Sequence, residues 1–145
     1  MELVKDYLDP VIFGTLGIMS FIMIALVIER FLYFLFIKEN KFKHIELLRN
    51  ALTRNLTMIA SIGSNAPYIG LLGTVIGIMV TFHDMGANGN IDVSTIMSGL
   101  AMALKATAAG LFVAIPSIFL YNLLMRRVDV LISRWQAQQD LQEAQ

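Results

Sequence analysis

Three stretches of this chain lack charge for long enough to cross a lipid bilayer, and that property restricts the fold more than any other. Val11 to Ile28 contains no charged residue, and after the Glu29-Arg30 pair the apolar character resumes through Phe31 to Ile37. Met58 to Phe82 carries no charge at all, and Thr95 to Met125 is apolar apart from Lys105. A spanning helix needs about 20 such residues. In hydrocarbon the backbone must satisfy its own hydrogen bonds, which favours helices for segments of this length. The chain therefore reads as all-α, a single integral membrane domain over 1–145 with three spans at about 11–36, 58–82 and 95–125. Its balance of 57% hydrophobic to 15% charged residues suits lipid rather than water.

The segments between the spans have their own patterns. Residues 38–57 are polar and basic, but Phe42, Ile45, Leu48, Leu52 and Leu56 recur at three- and four-residue steps, which makes one apolar stripe on a helix. Residues 83–94 (HDMGANGNIDVS) read as a turn-rich loop. Beyond Arg126-Arg127, the residues Val128, Leu131, Ile132 and Trp135 again keep helical spacing, so 126–145 reads as an amphipathic extension of the third helix. The first nine residues carry Glu2, Lys5, Asp6 and Asp9 and lack the basic start and small-residue cleavage site of a signal peptide; the first span is expected to remain as an anchor.

Orientation follows from the basic residues at each flank. Arg30, Lys38, Lys41, Lys43, Arg49 and Arg54 follow the first span, and Arg126, Arg127 and Arg134 follow the third. The N-terminus has only Lys5, and 83–94 has neither Lys nor Arg. Positive charge stays on the cytoplasmic side. The expected arrangement is N-terminus out and C-terminus in, with an outer (periplasmic) loop at 83–94, a cytoplasmic connection at 38–57 and a cytoplasmic C-terminal helix at 126–145.

Small residues mark where helices can approach closely in lipid. On the second span Gly70, Gly73, Thr74, Gly77 and Thr81 share a face; on the third, Gly99, Ala103, Thr107, Gly110, Ala114 and Ser117 do. These faces imply tight helix packing within a subunit and between subunits. Antiparallel helices joined by a short loop pair residues equidistant from its centre, and Thr74 and Thr107 are symmetric about the Asn90-Ile91 junction. Both hydroxyls are expected at similar depth, roughly 14–20 Å below the outer loop. Two readings of them stand side by side. In one, each bonds a carbonyl of its own helix and only packs; in the other, the pair lines a narrow polar path.

Lys105 is the one charge inside the third span, and an ionisable group at that depth is a site by default. It lies about 200° around the helix from Thr107. Glu29 is expected about nine residues deeper, roughly 14 Å, so no carboxylate of the same subunit is expected at the level of Lys105. Snorkelling toward the interface is the plainer alternative to pairing with another chain. Glu29 and Arg30 read as a solvated or structural pair at a helix end. Pro67 and Pro116 are expected to bend their helices.

Several chemistries are excluded. The sequence has no cysteine, so thiolate metal sites and Cys nucleophiles are absent. His44 and His83 are solitary and lack metal-ligand spacing. The run GLLGTVIG lacks the lysine of a phosphate loop. No nucleophile stands beside a base, so the chain is not expected to be an enzyme. Eleven Lys and Arg balance eleven Asp and Glu, so net charge points to no nucleic-acid partner.

The second and third spans resemble a known family. Ala66 to Met79, APYIGLLGTVIGIM, and Gly99 to Asn122, GLAMALKATAAGLFVAIPSIFLYN, are similar to paired signatures of the MotA/TolQ/ExbB proton-channel family, in its ExbB/TolQ branch. The likeness covers roughly 55–127. It implies a multi-pass protein of the bacterial inner membrane that assembles as a homo-oligomer, a pentamer, around a pore holding single-span ExbD- or TolR-like helices with a protonatable Asp. It also implies that Thr74 and Thr107 line the pore near that Asp, that protons are the coupling ion with no other cofactor, and that a TonB-like protein receives the force. Two features depart from the pattern. Met102 stands where the family often has Glu, with Lys105 three residues on, and the connection 38–57 is far shorter than the usual cytoplasmic domain. Size favours the ExbB over the TolQ role, energising TonB-dependent transport rather than a Tol-Pal system. From a different class, a self-contained small ion channel with Lys105 as anion selector is the alternative.

Overall fold

The computed structural model describes residues 2–89 and 92–145, and among these every regular element is helical. Helix α1 runs Glu2–Phe36, a single 3-10 turn spans Glu39–Lys41, α2 is Ile45–Thr53, α3 is Leu56–Asn88 and α4 is Val93–Glu143. Helices α1, α3 and α4 are each long and apolar enough to cross a membrane. The helices continue through Pro10, Pro67 and Pro116.

Local chemistry explains where the helices stop and start. Asn55 sits at φ 66°, the left-handed conformation that asparagine tolerates better than most side chains, and so turns α2 directly into α3. Gly89 ends α3 at φ 63°, and its N–H closes the last turn on the Met85 carbonyl at 3.2 Å. Asp92 caps α4: one carboxylate oxygen accepts from the Ser94 N–H at 3.2 Å and the other from the Thr95 hydroxyl at 3.0 Å. These two bonds, with the ordinary stabilisation of an anion at a helix start, hold the Asp92 carboxyl below the usual carboxylate range.

One boundary differs from the sequence reading. The stretch read as a turn-rich loop is helical from His83 to Asn88, and α4 resumes at Val93. Polar residues do not themselves end a helix; the chain reverses only where a left-handed glycine is available, and Gly89 rather than Gly86 serves. Asn90 and Ile91, the expected centre of symmetry, lie outside the described residues. At the N-terminus α1 extends beyond the apolar run and takes in Lys5, Asp6 and Asp9.

Helices α3 and α4 form a long antiparallel hairpin against which α1 lies. Ile12, Leu16 and Met23, spaced along one face of α1, are buried against it. At the other end a compact apolar cluster joins Leu48 and Leu52 of α2, Leu56 and Ile59 of α3, and Val128, Leu131 and Trp135 of α4. The indole N–H of Trp135 donates to the Phe42 carbonyl at 3.0 Å, tying the C-terminal extension to the connection after α1. Arg30 is 2% exposed at this end. Its guanidinium grips both Glu29 carboxylate oxygens, donates to the Ala51 carbonyl at 2.8 Å and lies 4.4 Å from the Tyr33 ring centroid. The Glu29-Arg30 pair is thus structural: it fastens α1 to the end of α2. The outward faces carry large exposed apolar residues such as Phe21 (75%) and Phe112 (80%), which only lipid or further protein can cover.

Candidate functional site

The small residues foreseen on α3 and α4 are what bring the two helices into backbone contact. A Cβ built on Gly70 would stand 2.5 Å from the Ala106 carbonyl oxygen, and one on Gly110 would stand 2.6 Å from that of Ala66. No flexible side chain lies between them that might yield. Gly77 faces Ala103 and Gly73 faces Ala106 in the same register. Opposed residues along this seam, Gly63 with Ser117 or Thr81 with Gly99, keep the antiparallel register throughout.

In the middle of the seam the structure joins Thr74 and Thr107, with their hydroxyl oxygens 2.6 Å apart. Thr74 is 7% exposed. Its hydroxyl also lies 2.9 Å from the Ala103 carbonyl across the seam and 3.3 Å from the Gly70 carbonyl of its own helix. A hydroxyl has one proton and two lone pairs. If Thr74 donates to Ala103, then Thr107 must donate to Thr74, and the oxygen of Thr107 offers lone pairs outward. If Thr74 donates to Thr107 instead, the Thr107 proton is free to point outward. Thr107 is half-buried, so this end of the pair is reachable from outside the chain. The two hydroxyls can thus present either a donor or an acceptor at one point, but with no titratable group between them they cannot store a proton.

Beyond this seam, toward the Gly89 end of the hairpin, α1, α3 and α4 line an open cavity of about 530 Å³. Its inner part is lined by Asp9, Ile12, Gly73, Gly77, Ala103 and Ala106, and its mouth by Lys5, Asp84, Asn88 and Ser94. Lys5 pairs with Asp84 at 3.1 Å across the mouth. That hydrogen bond and charge hold the Asp84 carboxyl, beyond the apolar run of α3, below its usual range. Met102 is exposed and lines the cavity as well.

Lys105 is exposed, and among the described residues it makes no ion pair or hydrogen bond. One expectation about it needs correction. The sequence reading aligned the apolar runs end to end and left Lys105 without a carboxylate at its depth. The packing sets a different level: the space beside Gly73 is shared by Ala106 and Ile12. Ile12 therefore lies level with Ala106, and Asp9, one turn before it on α1, lies near the level of Lys105. The sequence signal was Pro10, which is tolerated one turn into a helix and does not mark a boundary there; the charge count alone set the boundary at Val11.

Comparison with known proteins places this geometry. Residues 36–137 match the MotA/TolQ/ExbB proton channel family. The chain is similar to the biopolymer transport protein ExbB of Helicobacter pylori (strain J99), 50% identical over 135 residues that cover 93% of each chain. It is similar to the ExbB of Aquifex aeolicus, 50% identical over 137 residues, 94% of this chain and 93% of that one. It also resembles the Tol-Pal system protein TolQ of Pseudomonas aeruginosa, 43% identical over 84 residues, but these cover only 36% of that protein.

Proposed function

Because the chain belongs to the MotA/TolQ/ExbB proton channel family, we propose that it is the channel and scaffold subunit of an ExbB-ExbD type motor. It would use the proton gradient across the bacterial inner membrane to energise TonB-dependent transport. The likeness to short ExbB proteins along nearly their whole length favours this role over that of TolQ, whose match covers about a third of that protein. The subunit would insert with its N-terminus out and C-terminus in, in keeping with the basic flanks at Arg30 to Arg54 and Arg126 to Arg134. It would assemble as a pentamer around the helices of a single-span, ExbD-like partner.

The observation that carries the reading is the 2.6 Å hydroxyl pair Thr74-Thr107, placed mid-seam and reachable at Thr107. The pair can switch between donor and acceptor but holds no proton. A transport cycle therefore needs a titratable group from elsewhere, which the Asp of an ExbD-like helix would supply, with Thr107 meeting it and Thr74 behind. Gly70, Gly73, Gly77 and Gly110 have the supporting role of holding the two helices close enough for the hydroxyls to touch.

The test is proton-dependent uptake in cells carrying Thr74→Val or Thr107→Val, with the serine variants as controls. Valine keeps the shape and removes the hydroxyl. Interhelical bonds in membranes are worth about 0.6 kcal/mol on average, so the valine chains should fold and yet lose uptake, while the serine chains retain it. Full uptake with both valines would remove the hydroxyl pathway. Proton flux from this subunit reconstituted without a partner would favour a self-contained channel.

A further inference from the structure

Two ionisable residues, Asp9 and Lys105, have no part in the hydroxyl seam, and the helix register brings them to almost the same depth. Gly73, Ala106 and Ile12 share one level, since a Cβ on Gly73 would meet the Ala106 Cβ at 2.7 Å and Ile12 at 3.2 Å. Counting outward from it at about 1.5 Å per residue, Asp9 lies about 4.5 Å above and Lys105 about 1.5 Å above. They differ by roughly 3 Å along the helix axes. The apolar run of α3 continues to Phe82, about 14 Å above the same level. Both charges therefore lie within the hydrocarbon, where an unpaired ion is rarely left.

Their directions agree as well. Lys105 follows Ser98 by seven residues, a spacing that returns to within about 20° of the same helix face. Ser98 and Asp9 both line the outer cavity, one on the α4 wall and the other on the α1 wall. Lys105, exposed and itself outside the cavity lining, thus borders that wall of α4, and a helical side chain leans toward the helix N-terminus, which is the side of Asp9. Other carboxylates do not compete. Asp84 is taken by Lys5 at 3.1 Å; Glu29 is held by Arg30 and lies about 27 Å deeper than Lys105. Asp6, on α1, is about a turn further out and is not on the cavity wall.

We propose that Asp9 and Lys105, exposed and apart in this structure, close by side-chain rotation into an ion pair inside the membrane that joins α1 to α4 beside the outer cavity. With the Lys5-Asp84 pair joining α1 to α3, the outer half of α1 is then fastened to both neighbours, and the cavity gains a charged wall on its α1-α4 side. The pairing depends on helix register alone and holds whether or not Thr74 and Thr107 carry protons.

The first experiment compares thermal unfolding midpoints of the purified full chain in mild detergent. Asp9→Asn and Lys105→Met each leave a lone charge and should lower the midpoint. The double variant Asp9→Asn/Lys105→Met, and the exchange Asp9→Lys/Lys105→Asp, should recover most of that loss. The second uses the absence of native cysteine. Asp9→Cys/Lys105→Cys, treated in native membranes with a short thiol-to-thiol cross-linker, should link within one chain, and the Asp6→Cys/Lys105→Cys control should do so far less. Strictly additive midpoint losses would overturn the pairing. So would cross-links formed only between chains, which would assign Lys105 to a subunit contact, or no cross-link at all.

Discussion

Replacing Gly110 with alanine tests the seam where backbone meets backbone. The added methyl would stand 2.6 Å from the Ala66 carbonyl oxygen and 3.0 Å from the Gly70 Cα. Both obstacles are backbone, so no rotamer change can make room, and ordinary contact at 3.4 Å requires the helices to part by 0.8 Å at this crossing. Overpacking of this kind costs about 1–3 kcal/mol, whereas alanine for glycine in an unobstructed helix gains up to about 1 kcal/mol. Gly14 supplies that reference, with nothing within 4 Å of its Cβ position. Gly110→Ala should therefore be about 1–3 kcal/mol less stable than Gly14→Ala in denaturant unfolding of the detergent-solubilised protein. The opening would reach the hydroxyls one turn away. Their 2.6 Å separation would lengthen toward the limit of a hydrogen bond, so proton-dependent uptake should fall together with stability. Equal stability and full uptake for both variants would refute the claim that Gly70 and Gly110 set the helix spacing.

Two further outcomes follow from the polar contacts. Arg30→Met should destabilise the chain by about 1–3 kcal/mol, because it removes a nearly buried guanidinium and its bond to the part-buried Ala51 carbonyl; Arg30→Lys should recover only part of this, since an ammonium cannot reproduce the two-pronged grip on Glu29. Limited proteolysis within 38–55 is the readout, and unchanged protection would count against the contact. The Asp92 cap should respond to pH in one direction. Its carboxyl is held below the usual range by the Thr95 hydroxyl and the Ser94 N–H, so its contribution is present above the unfolded carboxylate value and is lost as pH falls through the lowered folded value. Amide-exchange protection at the first turn of α4, taken relative to the intrinsic rate at each pH, should fall over that acidic window in the native chain and be low at all pH in Asp92→Ala.

How much of this was legible in the sequence depends on whether the determining contact is periodic or singular. The spans were legible because lipid imposes one rule on every residue of a long run. The stripes Leu48, Leu52 and Val128, Leu131, Trp135 could be read because burial repeats with the helix period, although the sequence could not say that they face each other. The Thr74-Thr107 pairing was readable from symmetry, since a hairpin of two straight helices has only one register parameter. Arg30 was read as interfacial because its acceptor, the Ala51 carbonyl, is a backbone atom at the end of another helix and leaves no side-chain signal.

The position of α1 shows why charge counting fails as a ruler when helices interlock. Hydropathy places each span separately and begins α1 at Val11, beyond the last acid. The bundle places α1 by fitting Ile12 into the gap that Gly73 leaves beside Ala106. A notch without a side chain accepts a branched residue at one level only, and sliding α1 outward by two turns to free Asp9 would empty that notch and strip Leu16 and Met23 of their partners as well. Losing the burial of side chains of this size costs about 1.5–3 kcal/mol each. A single charge at the centre of a span costs about 2.5–3.5 kcal/mol on insertion scales, and less when a cation stands at the same depth. Packing therefore outweighs the cost of placing one charge and sets the level of α1, which leaves Asp9 about 3 Å along the helix axes from the lysine of α4.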